Sequence, residues 1–272
     1  MGNHKIRLEF VDSYKLFFEA LGLVKFEDFY NFSDGDLINK NTKRNVVYMK
    51  FNIDGQSRDF FMKRFHKPYL KDTLHTILNH GAICTQALSE YKFALHLLEK
   101  GIETYHPVCF GEKTIFGLEQ ESFMITEKIN GVSLTEFVTT NFESMPLTEK
   151  VKLVAAIGRF VRRIHDAGIN MVDLFVWHLF VLNKAADSSD DYQFAVIDLH
   201  RLKINVHLQY SQLRNLGALD YSMNFTRFDD QLRDVLLDSY IGSKHYLGKE
   251  TIRAILLKRA NTLRRRRNVP EY

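Results

Sequence analysis

Cysteine and proline are scarce in this sequence. Of its 272 residues only Cys84 and Cys109 are cysteines, four are prolines and fourteen are glycines. Two cysteines cannot form a disulfide framework, which indicates a reducing compartment. The low content of proline and glycine, together with the lack of repeats, argues against a disordered or fibrous chain. With 45% hydrophobic and 26% charged residues, the composition is that of a globular protein.

Long apolar runs are lacking as well. No run approaches the ~20 residues that a helix needs to span a bilayer. The N-terminal segment MGNHKIRLEF has no apolar signal core. Ile6 stands where a myristoylation signal carries Ser or Thr. We therefore expect a cytosolic protein that does not span a membrane.

Positive charge is unevenly distributed, although the net charge is only +4. Near the end, Lys258 and Arg259 precede the run Arg264–Arg267. Such a cluster attracts an anionic partner: a lipid surface, a nucleic acid or a phosphorylated ligand. The alternatives are a solvated, frayed tail and a helix docked on the helical half of the chain with its charges satisfied internally, and the charge alone does not choose among these.

The first half of the chain has the pattern of a sheet with helices. A helix is predicted over about Asp12–Leu23. Alternating residues then predict a hairpin of Arg44–Ile53 and Arg58–Phe65, turned at Asp54-Gly55. Lys63 lies on its second strand.

A helix follows that carries Glu90, with Gly101 as its stop and either Ser89 as its N-cap or an earlier start. Two more strands come next, and Ser133 is expected to cap a further helix.

The second half is mainly helical. An amphipathic helix is predicted from Thr148, as its cap, to Ala167. Two apolar runs around the polar loop NKAADSSDD suggest a second hairpin, and Tyr210–Tyr272 has a helical pattern. We predict an α+β fold in two lobes, residues 1–128 and 129–272.

One apolar run, GINMVDLFVWHLFVLN, contains Asp173 and, five residues later, His178. Burying an unpaired charge is costly, so these side chains should face a wet cleft. Asp173 leads into one arm of the second hairpin and Asp198 ends the other, which can bring both carboxylates together. One lysine (Lys63) and two aspartates suit phosphoryl transfer: the lysine neutralises phosphate, one aspartate holds Mg²⁺ and the other accepts a proton.

These residues resemble the protein-kinase signatures. The segment MVDLFVWH is similar to the catalytic loop H-R-D-L-x-x-x-N, with His178 at the asparagine position. FFMK is similar to the strand that ends in the phosphate-binding lysine, and VIDLH stands where the D-F-G aspartate belongs.

The match is closer to one family. The segments FMKRFHK, LSEYKFALHLLEKGIETYHPVCFGEK, SFMITEKINGVSLTEF, RRIHDAGIN and VIDLHRLKI resemble the lipopolysaccharide core heptose kinases, the WaaP type of the Kdo/WaaP kinase family. That family has a protein-kinase-like fold and carries His at the position of His178 and D-L-H-R at Asp198.

The resemblance implies an enzyme that uses ATP and Mg²⁺ to phosphorylate a heptose of the lipopolysaccharide inner core. Asp173 would be the general base, Asp198 the metal ligand, Lys63 the phosphate lysine and Glu90 its partner, with His178 either a second metal ligand or a hydrogen-bond donor. Further nucleotide contacts are expected from Lys43 or Arg44, and from the backbone of Glu127–Ile129.

The resemblance also implies a place in a Gram-negative cell: the cytoplasmic face of the inner membrane. The basic C-terminal cluster would hold the protein to that anionic surface, and no nucleic acid is expected as a partner.

One feature departs from the family: Met171 and Val172 replace the His-Arg pair before the catalytic aspartate. The loop INKNTKRN has no glycine, which differs from the G-x-G-x-x-G of protein kinases and matches the family's basic, glycine-free version. A Kdo kinase or another small-molecule kinase therefore stays open, as does a catalytically weak pseudokinase that binds anionic lipid or nucleic acid. The role of His178 is also open between metal contact and hydrogen bonding, since Mg²⁺ prefers oxygen. His165 and His200 are expected to be structural.

Overall fold

The computed structural model of the chain describes residues 4–40, 43–53, 55–66, 70–183, 191–242, 247–268 and 271–272. The chain divides into two compact units. The first consists of Met1–Glu99 and Thr104–Lys128, and the second of Lys100–Glu103 and Ile129–Tyr272.

The first unit is an antiparallel sheet of six strands with helices. Its strands are β1 (His4–Phe10), β2 (Asp36–Lys40), β3 (Arg44–Ile53), β4 (Gln56–His66), β5 (Pro107–Ile115) and β6 (Leu118–Glu127), in the order β1-β5-β6-β4-β3-β2. Its helices are α1 (Asp12–Ala20), α2 (Phe26–Tyr30), α3 (Leu70–His80) and α4 (Gln86–Glu99). The predicted hairpin is confirmed as β3 and β4, while Asp54 of its turn lies outside the described residues.

Alternation along the strands decides which helix each side chain meets. Phe60 and Met62 face a core that they share with Phe18 of α1 and Phe29 of α2. Lys63 consequently points to the opposite face, where it meets Glu90 of α4. The same alternation in β5 directs Phe110 to Tyr91 of α4, with ring centroids 4.9 Å apart.

Two helix boundaries in this unit differ from the prediction. The first helix ends at Ala20, because Gly22 adopts a left-handed φ of +75° and turns the chain before α2. Ser89 is not the cap of α4, which begins at Gln86. Thr85 caps it instead, since its hydroxyl oxygen accepts from the Leu88 N–H at 3.3 Å.

The second unit is mainly helical. Its elements are β7 (Gly131–Ser133), α5 (Leu134–Asn141), α6 (Leu147–Asp166), β8 (Asn170–Met171), β9 (Leu179–Leu182), β10 (Phe194–Val196), β11 (Leu202–Lys203), α7 (Gln209–Ser222), α8 (Asp230–Ile241) and α9 (Lys249–Arg264). Two small antiparallel sheets, β10-β9-β7 and β11-β8, lie among these helices. The predicted second hairpin is confirmed as β9 and β10, and its loop, residues 184–190, lies outside the described residues.

The predicted caps of this unit have different outcomes. Ser133 does cap α5, because its hydroxyl accepts from the Glu136 N–H at 3.2 Å. Thr148 does not cap α6, which begins one residue earlier, after Pro146. The Pro146 carbonyl accepts from the Glu149 and Lys150 amides, and the extended backbone of the proline starts the helix without a side-chain cap.

The basic C-terminal segment is part of a packed helix. Ile252, Leu256, Ala260 and Leu263 of α9 are buried. Gly217 of α7 permits the close approach, since a Cβ there would lie 2.9 Å from the Cβ of Arg259. Among the described helices, none is both long and apolar enough to cross a membrane.

Candidate active site

Lys63 and Glu90 form an ion pair in the first unit. The Lys63 Nζ lies 2.8 Å from the Glu90 Oε2, and the Glu90 side chain is only 1% exposed. The Tyr105 hydroxyl donates to the same oxygen at 2.9 Å, and its ring lies 5.1 Å from the Lys63 Nζ. A buried carboxylate needs such partners, because desolvation of an unpaired charge costs several kcal/mol.

Tyr105 was not foreseen from the sequence. It lies just before β5 and has no spacing relation to Glu90 on α4. Only the packing of the helix on the sheet brings them together, so no local pattern could reveal the contact.

The other nucleotide residues expected in this unit lie at strand ends. Arg44 begins β3, and Lys43 comes just before it. Glu127 ends β6, where its amide donates to the His106 carbonyl at 2.9 Å and its carboxylate accepts from the Tyr14 hydroxyl. These bonds occupy the Glu127 amide, so its carbonyl oxygen is the backbone group left to consider for adenine.

In the second unit, the loop that carries Asp173 is anchored to α7. Asn170 donates to the Ser211 hydroxyl at 2.7 Å. The Met171 amide donates to the Asn215 side chain at 2.9 Å, and the Val176 amide donates to Ser222 at 2.9 Å. The backbone on both sides of Asp173 is thus held in place by one helix.

A hydrogen bond to the backbone defines the tautomer of His178. Its Nδ1 lies 2.7 Å from the backbone carbonyl of Asp173, and because a carbonyl can only accept, Nδ1 carries the proton. Burial lowers the pKa of His178, against the opposing effects of Asp198 and of this hydrogen bond. In the neutral ring the Nε2 therefore presents a lone pair, 3.6 Å from the Asp198 Oδ2.

Asp198 has an unusual backbone. Its φ of 63° and ψ of 64° place it in the left-handed region, which Asp and Asn tolerate better than other non-glycine residues. Its Oδ1 accepts from the His200 Nδ1 at 2.8 Å, while its Oδ2 faces His178. His200 thus orients the carboxylate.

Arg201 contacts Asp173, which the sequence did not indicate. The Arg201 Nη1 lies 2.7 Å from the Asp173 Oδ2. The pairing of Leu202 with Met171 in the β8–β11 sheet brings the two together. Arg201 belongs to the D-L-H-R motif, but its spacing from Asp198 gives no sign that it folds back onto the loop.

A second arginine approaches the same carboxylate from the end of the chain. The Arg267 Nη2 lies 4.0 Å from the Asp173 Oδ1, and its guanidinium stacks over the Phe175 ring at 5.0 Å. Phe175 in turn packs against Ala260 and Leu263 of α9. The C-terminal helix therefore supports the loop that carries Asp173.

His165 belongs to the packing of α6 on α8. It is 1% exposed, and its Nδ1 lies 2.8 Å from the Tyr240 hydroxyl. Burial lowers the pKa of His165 to about 3, so the ring stays neutral. This environment accords with a structural role.

Comparison with protein families identifies the group to which these residues belong. The model of the lipopolysaccharide kinase (Kdo/WaaP) family matches residues 34–240, which contain Lys63, Glu90, Asp173, His178 and Asp198. The chain belongs to the Kdo/WaaP family.

Two curated relatives are lipopolysaccharide core heptose(I) kinases. The WaaP of Escherichia coli K12 is 29% identical over 158 residues, which is 57% of this chain and 59% of the relative. The WaaP of Pseudomonas aeruginosa is 32% identical over 155 residues, 56% of this chain and 57% of the relative. The chain thus spans less than two thirds of the length of these two relatives.

A solved structure of WaaP has a fold similar to that of this chain. The structure of WaaP in complex with acyl carrier protein matches with a TM-score of 0.69 at 22% identity, covering 94% of this chain and 99% of that one. The expected α+β, kinase-like fold is confirmed.

Proposed function

We propose that this protein transfers the γ-phosphate of ATP to a heptose hydroxyl of the lipopolysaccharide inner core. The observation that carries the proposal is the arrangement of Asp173, His178 and Asp198 within the part of the chain that matches the Kdo/WaaP family. The names of the relatives support heptose as the acceptor.

The first unit, with residues up to Lys128, binds the nucleotide. Lys63 neutralises phosphate oxygens, and Glu90 and Tyr105 fix the direction of its ammonium group. Lys43 or Arg44 adds a phosphate contact from the β2–β3 connection. The backbone carbonyl of Glu127, at the end of β6, binds adenine.

The second unit performs the proton transfer. Asp173 accepts the proton of the attacking sugar hydroxyl, which increases its nucleophilicity as it approaches the γ-phosphorus. Arg201 replaces the support that the missing His-Arg pair would give, because it holds the Asp173 carboxylate at 2.7 Å.

The donor set of Asp198 and His178 fits a divalent cation. Two acceptor atoms that face each other at 3.6 Å repel unless a cation lies with them. A metal-binding histidine also commonly donates its other N–H to a backbone carbonyl, as His178 does to Asp173. Bound there, Mg²⁺ would neutralise charge on the phosphates, and Asp198 and His178 would hold it.

Metal titration should separate the two roles of His178. His178→Phe should raise the Mg²⁺ concentration for half-maximal activity about 10-fold or more, because one ligand is lost. His178→Asn retains an N–H that can donate to the Asp173 carbonyl. If His178 acts only through its hydrogen bond to the Asp173 carbonyl, His178→Asn should have the turnover of the wild type. In that case His178→Phe should need no more Mg²⁺ than the wild type.

The acceptor is a glycolipid, so we place the protein at the cytoplasmic face of the inner membrane. Arg265 and Arg266 are exposed and follow α9. Arg264 and Arg267 lie over the rings of Phe225 and Phe175, although Arg267 is itself exposed. The membrane contact expected of the whole basic cluster thus rests mainly on Arg265 and Arg266.

Neutralising this pair should weaken binding to anionic vesicles. Each basic residue near an anionic surface contributes roughly 1 kcal/mol, so Arg265→Gln/Arg266→Gln should bind about 30-fold more weakly in co-sedimentation. At 1 M salt the difference should vanish, because the Debye length falls to ~3 Å. A matched variant on α6, Lys152→Gln/Arg163→Gln, should bind like the wild type. Equal binding by all three proteins at low salt would rule out the membrane role.

One experiment tests the proposed reaction. The protein is incubated with labelled ATP and dephosphorylated core lipopolysaccharide, and the position of the new phosphate is mapped. Label on a heptose is the expected result. Label on Kdo alone would reassign the acceptor, and ATP binding without transfer would favour the binding-module alternative.

A further inference from the structure

Arginines surround Asp173 in the second unit. Arg201 and Arg267 approach its two oxygens at 2.7 and 4.0 Å. Arg259 of α9 precedes Ala260, which packs in one cluster with Phe175; burial lowers the pKa of Arg259, and the negative charge of Asp173 opposes that shift. One carboxylate is thus shared between two guanidinium groups, and a third arginine lies on the neighbouring helix.

The fold holds two of these arginines in place. The stem of Arg259 packs against Gly217, where any side chain would collide with it. The guanidinium of Arg267 lies on the ring of Phe175, which is 1% exposed. Fixed guanidinium groups lose little conformational entropy when they bind an anion, in contrast to a freely moving surface side chain.

The charges in this cluster do not balance. Burial lowers the pKa of Arg259, the positive charges of Arg214, Arg267 and Arg266 lower it further, and Asp173 opposes them. The Arg259 Nε is buried, and no group among the described residues accepts a hydrogen bond from it. An anion bound at this point would supply both the missing charge and the missing acceptor.

The position of the cluster indicates which anion it serves. Asp173 is the residue that would contact the sugar hydroxyl, so a group bound beside it belongs to the acceptor. Arg267 reaches Asp173 from the segment after α9, whereas Asp198 and His178 meet at the ends of the β9–β10 hairpin. A glycolipid core offers two kinds of anion, the carboxylates of acidic sugars and phosphates.

We propose that Arg259 and Arg267, together with Arg201, bind an anionic substituent of the acceptor next to the hydroxyl that is phosphorylated. This inference rests on the proposed kinase function and assigns the acceptor side of the same site. The arginines act as specificity determinants, since they favour acceptors that carry a carboxylate or phosphate at the right distance from the hydroxyl.

Matched acceptors test the inference. We would prepare soluble, deacylated core oligosaccharide without phosphate in two forms, one with its carboxylates and one with these reduced to alcohols, and a third form that is reduced but phosphorylated. Wild type, Arg259→Gln and Arg267→Gln are compared with Arg163→Gln, which removes an exposed arginine of α6. The readouts are kcat, the KM for acceptor and the KM for ATP.

The expected result is a KM effect confined to the acceptor. Loss of a hydrogen bond to a charged group corresponds to about 10- to 100-fold, so each variant should raise the acceptor KM by that factor. On the fully reduced form, wild type and variants should have equal KM values. Whichever of the carboxylated and phosphorylated forms has the lower KM with the wild type identifies the anion. Arg163→Gln should have the wild-type KM for every acceptor form.

Three results would overturn the proposal. One is an equal KM of the wild type for the anionic and reduced forms, and another is a rise of the ATP KM in place of the acceptor KM. If the wild type transfers no phosphate, the proposed function fails by itself, and calorimetry of the three oligosaccharides with the protein then decides the site. The proposal is supported if the wild type binds an anionic form more tightly than the reduced form and Arg267→Gln does not. Equal binding of all three forms by the wild type is the third contrary result.

Discussion

Asp173→Asn should lower turnover by about 10²–10⁴ and leave folding and ATP affinity unchanged. This is the usual contribution of a general base, and an amide cannot take up the proton of the sugar hydroxyl. The substitution preserves the shape of the side chain, and its carbonyl oxygen can still accept from Arg201, which now holds the carboxylate at 2.7 Å. The anchoring of the loop to α7 involves only neighbouring residues, so the loop should remain in place.

The measurement is kcat with labelled ATP, with ATP affinity from calorimetry and folding from circular dichroism. Asp191→Asn is the matched control, because Asp191 also pairs with an arginine, Arg159, at 2.6 Å, but is half exposed on the same unit. That variant should keep the wild-type rate. Wild-type turnover by Asp173→Asn would mean that another group takes the proton.

Loss of Lys63 should affect both catalysis and stability. Lys63→Met should reduce transfer to every acceptor by roughly 10²–10³, the range for removal of one electrostatic contact to the reacting group. It should also lower the free energy of unfolding by about 3 kcal/mol, because Glu90 keeps a buried charge with only the Tyr105 hydroxyl beside it. Inactivity of the single variant could therefore arise from unfolding alone.

A double substitution separates these effects. Lys63→Met/Glu90→Gln removes both charges, so it should recover most of the lost stability while remaining inactive. Lys113→Met serves as a control, because Lys113 forms a more exposed pair with Glu121 on the same sheet, at 3.5 Å. Urea unfolding measures the stability and labelled ATP the transfer. A double variant that is both stable and fully active would remove Lys63 from the proposed site.

Local patterns in the sequence predicted the elements better than their ends. The β3–β4 and β9–β10 hairpins follow from alternation and turn residues, and Ser133 caps α5 as expected. Ser89 is not the cap because Thr85 caps α4 one turn earlier, and Glu119 of β6 also accepts from the Gln86 amide at 2.9 Å. The contact with Glu119 comes from the sheet, so the sequence around α4 does not reveal it.

The candidate site divides in the same way. Lys63, Asp173 and Asp198 could be proposed from motifs, since their chemistry fixes residue type and spacing. Arg201, Tyr105 and Arg267 complete the surroundings of these groups through strand pairing and helix docking. No fixed sequence spacing links these partners to the residues that they contact, so only the folded structure shows the contacts.

The backbone of Asp198 has a consequence for engineering this protein. Glycine adopts this left-handed conformation without the steric cost of a Cβ, a cost that aspartate tolerates better than most residues but still bears. Asp198→Gly would also delete the carboxylate proposed to hold the metal. A library screened only for heat resistance could therefore enrich an inactive protein at this position, because stability and activity favour different residues. Screens of this chain should select for both properties together.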